Sequence, residues 1–306
     1  MLKIIENNNL VWNHIQKPTK KDWQFMEKHL DMPPEIMLEM VDTIQQPRIE
    51  RWKDNLYINL NVPLFNRIKQ TTETGDLHIV ISPKEVTTII FKPNLPVKSI
   101  FHHANKSNRF RNELMQESVG LFLINFLEEL TSLSFDKIKH INENIDWVKE
   151  TIFEEDGYNH VQEISKIKLD ILIFQRILKP QKNILNTMLS EKFEQLSTSE
   201  IRSSIRHLIQ TNIKVWNSIE SAQEIIESLE ITNNSMVSYK LNNTMRFLAA
   251  VSLITFAMSV TLGIFSIIPF DSFPIARTPG MFLIAMFMLA LVASISILVF
   301  RQKKWL

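Results

Sequence analysis

Two uncharged apolar runs, Phe247–Phe270 and Met281–Phe300, constrain this chain more than any other feature. A bilayer core of roughly 30 Å is crossed by about 20 apolar residues in helical form, so each run is long enough to span once. The connector Asp271–Gly280 (DSFPIARTPG) carries two prolines and a glycine, a composition that turns the chain back on itself. Two spans joined by a short external loop, 271–280, put both ends of the protein on one side. Lys240 and Arg246 precede the first run, and Arg301, Lys303 and Lys304 follow the second; Arg277 is the one basic residue between them. The positive-inside rule therefore predicts cytoplasmic N- and C-termini in a multi-pass protein of the cell (inner or plasma) membrane, with Trp305 as an interfacial anchor.

Bulk composition hides this split. The 306 residues are 45% hydrophobic and 22% charged, with mean hydropathy −0.04, because the charged residues are concentrated before Arg246. A formal net charge of +1 offers no basic excess for phosphates and excludes nucleic acid as a partner. The absence of cysteine excludes disulfide frameworks and thiolate metal sites. Met1–Asn9 lacks the apolar core of a signal peptide, so the first stretch able to insert lies near the C-terminus. No Gly-rich phosphate loop and no nucleophile motif is present; the expectation is a protein that is not an enzyme and carries no cofactor.

Up to about Asn125 the pattern is mixed. Leu2–Glu6, Leu56–Val62, Leu77–Ser82 and Val86–Phe91 read as short strands, and Lys20–His29 and Glu35–Met40 as helices. From about Gly120 the chain turns to long helices. Leu121, Ile124, Leu127, Leu130 and Leu133 lead onto Phe135, Ile138, Ile141, Ile145 and Val148 along a drifting face. A break at Asp156-Gly157 precedes a second helix, Val161 to about Leu189, with Pro180 inside it. A third starts near Ser197–Ser199, with Ser199 as its cap, and carries Ile201, Ile205, Leu208, Val215, Ile219, Ile226 and Leu229. At Asn212 the neighbouring Ile213 is expected to take the apolar position. No proline interrupts the chain from Gln181 to Ile268, which predicts one helix of close to 70 residues running into the first span, about 100 Å at ~1.5 Å per residue. Asn233-Asn234-Ser235 is its weakest point, and a helix of this length without internal caps calls for bundle or oligomer packing. The expected organisation is an α/β cytoplasmic domain (1–125), long cytoplasmic helices including a stalk (126–245) and a two-span region (246–306).

Several segments carry a resemblance. Trp12, Pro18-Thr19, Gln46-Pro47-Arg48-Ile49-Glu50 and Leu56–Pro63 stand in the first domain. Arg176-Ile177-Leu178-Lys179-Pro180 is a basic and aliphatic step into a proline. Ser238–Gly263 enters the first span, and Arg301–Leu306 closes the chain as RQKKWL. In this order they are similar to the CorA family of divalent-cation transporters and channels over essentially the whole length. The resemblance implies a homopentameric funnel in which five first spans line a pore and the second spans form an outer ring. The pore face it implies maps onto Asn242, Met245, Leu248, Ser252, Phe256, Ser259 and Gly263, which advance by three or four and share one helical stripe. The same stripe, read without the resemblance, is ordinary helix packing with small residues.

Two departures stand out. The family's Gly-Met-Asn signature follows a Gly-X-aromatic step; here Gly263-Ile264-Phe265 is followed by Ser266, Ile267 and Ile268. The amide ring that would receive hydrated magnesium is replaced by a side chain with no acceptor, although Mg²⁺ keeps its waters and needs groups that accept from them. The connector, with one Asp271 and one Arg277, supplies no acidic collar. On the stalk, the family's Arg-Asp-X-X-Asp run corresponds to Arg206-His207-Leu208-Ile209-Gln210, and no Asp occurs between Asp170 and Asp271, so closure by sensed magnesium is not expected. No metal-binding residues are assigned. His102-His103, expected to point apart on a strand, and Glu154-Glu155-Asp156 at a helix turn both read as solvated groups.

Two functions follow. One is passive flux of a divalent cation (Mg²⁺, Co²⁺, Ni²⁺ or Zn²⁺) through a pentameric pore, driven by the membrane potential. The alternative is a non-conducting homologue that keeps the scaffold for an interaction or regulatory role. The polar positions Asn242, Ser252 and Ser259 favour the first; Ser266-Ile267-Ile268 favours the second.

Overall fold

A computed structural model of the chain describes residues 2–7, 9–41, 46–66, 71–92, 96–116, 118–153, 158–190, 196–267 and 279–302, with backbone alone at 65, 66, 71, 158, 159, 190, 265–267, 279–282 and 285. The chain divides into two compact units, Met1–Glu230 and Ile231–Leu306.

The first unit begins with strands β1 (Leu2–Asn7) and β2 (Leu10–Gln16) and helices α1 (Lys20–Lys28) and α2 (Pro34–Glu39). Strands β3 (Arg48–Trp52), β4 (Asn55–Asn66), β5 (Thr71–Ile81) and β6 (Glu85–Ile90) follow, then helices α3 (Pro96–Lys106), α4 (Asn108–Leu114), α5 (Val119–Thr151), α6 (Tyr158–Ser190) and the first part of α7 (Ser199–Ile267). The strands form one sheet in the order β1-β2-β6-β5-β4-β3, with β2 and β6 parallel and every other pair antiparallel. The four expected strands are present, and β2 and β3 join them.

Side chains alternate across the sheet with the period of two that a strand imposes. Trp12, Leu56, Ile58, Leu60, Leu77, Ile79, Val86 and Ile90 face a core shared with α3, α4, the start of α5, the end of α6 and the start of α7. Ile15, Tyr57, Val80 and Ile89 face a second core closed by Met26 of α1, Leu30 just after that helix and Ile36 of α2. Trp12, fully buried, is the hub of the first core, with ring centroids 4.9 Å from Phe101, 5.2 Å from Phe122 and 5.6 Å from Phe126. Its indole N–H donates to Thr88 Oγ1 at 3.0 Å, which removes the cost of burying a polar tip.

A third core lies between three helices. Ile138, Ile141, Ile145 and Val148 of α5 pack with Ile164, Ile167, Ile171 and Phe174 of α6 and with Val215, Ile219 and Ile226 of α7. Pro180 sits inside α6, which continues through it. His102 and His103 lie on helix α3 rather than on a strand, both exposed, because Val97, Ile100, Phe101 and Ala104 recur at helical spacing and are buried. His103 stacks on Phe110 at 4.1 Å. Glu154, Glu155 and Asp156 lie outside the described residues.

The second unit holds the remainder of α7 and helix α8 (Pro279–Gln302). Among the described residues one helix is long and apolar enough to cross a membrane, α7; within α8, Met286–Gln302 forms a shorter apolar helix. The connector 271–278 and the tail residues Lys303, Lys304 and Trp305 lie outside the described residues.

Candidate ion pathway

Helix α7 runs unbroken for 69 residues, as its freedom from proline predicts. It is capped by Thr198, one residue before the expected Ser199: Thr198 Oγ1 accepts from the Ile201 N–H at 3.3 Å, and its carbonyl accepts from Arg202 at 3.1 Å. The helix passes straight through Asn233-Asn234-Ser235, where Ser235 Oγ donates back to the Ile231 carbonyl at 2.9 Å. Asn212 holds the inward position expected of Ile213. It is buried because its amide donates to Gln181 Oε1 of α6 at 3.2 Å, while Ile213 is only half-buried. Lys168 of α6 and Glu230 of α7 add an ion pair at 2.7 Å.

Within the second unit the exposure of α7 is one-sided. Ala250 is buried, and Ile254, Ala257, Met258 and Thr261 are partly covered. Asn242, Met245, Leu248, Ser252, Phe256, Ser259 and Gly263 are all exposed, with Met245 at 60% and Phe256 at 67%. At roughly 100° per residue the first set centres close to 180° from the second, so the covered stripe and the Asn242–Gly263 stripe lie on opposite sides of the helix. A side chain at Gly263 would meet nothing within 4 Å. On α8 the covered positions Leu289, Val292, Ala293, Ser296 and Phe300 also form one stripe.

Hydroxyls along α7 are partly satisfied by their own helix. Ser259 Oγ donates to the Thr255 carbonyl at 2.9 Å, Thr255 to Val251 at 2.9 Å and Thr261 to Ala257 at 2.8 Å. A hydroxyl that spends its proton on the backbone keeps its lone pairs for other donors. Water bound to a cation presents its protons outward, so Ser259 has the polarity that suits a hydrated cation.

Ser266 and Ile267 end α7, described as backbone; Ile268 lies outside the described residues. Arg206, His207 and Gln210 are exposed on α7, and Leu208 between them enters the first core. Among the described residues no three His, Asp or Glu side chains gather closely enough to hold a metal ion.

The model of the family described as CorA-like Mg²⁺ transporter protein matches residues 7–302. The chain belongs to the CorA family. Two curated relatives named cobalt/magnesium transport protein CorA are similar to it. The one from Methanocaldococcus jannaschii is 21% identical over 98% of this chain and 93% of its own length. The one from Thermotoga maritima is 19% identical over 89% of this chain and 76% of its own. The complete structure of the CorA magnesium transporter from Methanocaldococcus jannaschii superimposes with a TM-score of 0.80 at 19% identity, covering 99% of this chain and 93% of that one. The fold is thus CorA-like from the sheet through the helices that follow it.

Proposed function

We propose that this CorA-family chain carries divalent cations passively through a homopentameric pore lined by α7. The observation that carries the reading is the reversal of faces on α7. The stripe Asn242, Met245, Leu248, Ser252, Phe256, Ser259 and Gly263 is turned away from the covered side of its own helix, which leaves it for neighbouring copies and the space they enclose. Five copies give an amide ring at Asn242, apolar rings at Met245, Leu248 and Phe256, and hydroxyl rings at Ser252 and Ser259. Apolar rings gate by dewetting, and hydroxyl rings accept from the waters of a hydrated ion. Helix α8 is the second span, outside the first, and both termini are cytoplasmic. Residues 1–125 form the α/β domain, 126–245 the long helices and stalk, and 246–306 the membrane part.

The driving force needs no ATP. A dication moving down the membrane potential gains about 4.6 kcal/mol per 100 mV, twice the value of roughly 2.3 for one charge. The names of the curated relatives support magnesium and cobalt as the first ions to test. Ni²⁺ and Zn²⁺ follow, since Ser266, Ile267 and Ile268 remove the acceptor that a tightly hydrated Mg²⁺ calls for. That replacement also favours the second reading, a non-conducting scaffold or regulatory homologue.

Purified protein in liposomes that enclose a dye responsive to Mg²⁺, Co²⁺, Ni²⁺ and Zn²⁺ decides between them. Flux of at least one ion at about −100 mV, the potential used in the estimate above, is the expected result. Silence for all four, in a preparation shown by cross-linking to be pentameric, overturns transport in favour of the scaffold.

A further inference from the structure

A cleft of about 920 Å³ opens between α6 and the long β4–β5 hairpin. It lies wholly in the first unit and plays no part in the pathway along α7. Its charged lining is Lys92, Arg176 and Lys179 against Glu73 and Asp76, a balance of one positive charge. Arg176 and Lys179 come from the Arg-Ile-Leu-Lys-Pro step of α6. Set three residues apart, they share one helical face, while Ile177 and Leu178 between them turn inward and are buried. Both cations are exposed, and neither makes an ion pair among the described residues.

The cleft also contains a buried group that asks for a donor. Asn61 lines it at 7% exposure, and its Oδ1 has no hydrogen-bond partner. A buried carbonyl oxygen left unmatched costs about 1–3 kcal/mol, so its retention in the wall of a cavity points to something that enters and donates to it. Asp76, half-buried beside it, is an acceptor whose carboxyl is pushed up by burial and drawn back by Lys92. Lys92 is itself held by donating to the Thr74 carbonyl at 2.8 Å. Ile173 and Pro180 supply an apolar wall.

We infer that this cleft binds a small phosphorylated molecule of the nucleoside phosphate class. Its phosphate sits on Arg176 and Lys179, and donor groups at its other end reach Asn61 Oδ1 and Asp76. The size falls in the range of about 300–1,000 Å³ found for small-molecule pockets. Two unpaired cations on one helical face are what a phosphate needs, and they disfavour a bare metal cation.

The test is calorimetric titration of the full-length protein in detergent, with a chelator present and AMP, adenosine, inorganic phosphate and, separately, Mg²⁺ without chelator as probes. AMP is expected to bind with Kd at or below about 1 mM and more tightly than either adenosine or phosphate. Arg176→Gln with Lys179→Gln, both on the surface and harmless to the fold, is expected to weaken AMP about tenfold or more. Asn61→Leu, similar in shape and without an acceptor, is expected to weaken AMP while leaving phosphate unchanged. No heat with AMP, AMP binding unaltered in the double variant, adenosine binding as tightly as AMP, or Mg²⁺ binding abolished by Asp76→Asn would each overturn the assignment. The readout is binding and not flux, so silence in liposomes leaves this inference standing.

Discussion

Tyr57 and His78, on the neighbouring strands β4 and β5, share a buried hydrogen bond of 2.8 Å between the phenol oxygen and Nδ1, with rings stacked 6.1 Å apart. The second ring nitrogen, Nε2, is buried without a partner. The imidazolium needs an acceptor for each of its two N–H groups and Nε2 has none, and burial drives the His78 pKa down to about 4. His14 repeats the arrangement on β2: Nδ1 lies 3.0 Å from Thr88 Oγ1, Nε2 has no partner, and burial lowers its pKa to about 4, assisted by Lys3.

These two histidines make the first unit sensitive to acid. Each titrates near 6.5 when unfolded and near 4 when folded, so between those values the unfolded chain binds more protons. Stability is then fully present above about pH 6.5 and falls as pH drops toward 4, by up to about 3 kcal/mol per histidine at roughly 1.4 kcal/mol per unit. Thermal unfolding of detergent-solubilised protein across this window should show the decline. His78→Phe is expected to reduce the pH slope; an unchanged slope would show that His78 does not couple protonation to folding.

Trp12 is expected to be the most costly truncation in the sheet. Trp12→Ala removes three aromatic contacts and leaves Thr88 without its indole donor, a loss of about 3–5 kcal/mol. Trp12→Phe keeps most of the packing and is expected to cost less than half of that, which chemical denaturation of the two variants checks.

Asn212 and Gln181 should behave as a unit. Asn212→Leu strands Gln181 Oε1 and is expected to cost about 1–3 kcal/mol, whereas pairing it with Gln181→Leu recovers part of the loss. A double-mutant cycle that came out additive would show the hydrogen bond to carry no coupling.

The absence of cysteine makes the chain a ready background for scanning α7. Single cysteines at Ser252, Phe256 and Ser259 are expected to react with a water-soluble thiol reagent and to lower any flux when they do. Cysteines at Ala250 and Ala257, on the opposite face, are expected to stay unreactive. Equal reaction on both faces would dismiss the pore stripe.

Past Gly263, the combined change Ser266→Gly, Ile267→Met and Ile268→Asn supplies the amide that a magnesium entrance calls for. Magnesium flux into liposomes is expected to appear or rise. No change would mean that these three residues do not form the entrance.

What could be read from the residues alone depended on whether a signal was local. The continuity of α7 was legible because a helix announces its breaks through proline, and none occurs there. Strand β2 was not: Asn13 and His14 interrupt its apolar run, and they are buried only because Thr87 and Thr88 of β6 stand beside them. Strand β3 is an edge strand whose sequence, Arg-Ile-Glu-Arg-Trp, is mostly charged, as an unpaired edge requires. Asn212 was misjudged for the same reason as Asn13, since its partner lies on another helix. The stripe on α7 could be written down from spacing and resemblance, but that its reverse side is the covered one required the fold.

Asn212 is bonded to Gln181, which in turn donates to the backbone carbonyl of Asn61. Two hydrogen bonds thereby tie strand β4 through α6 to α7, so a shift of the sheet at Asn61 is handed from one element to the next inside the first unit.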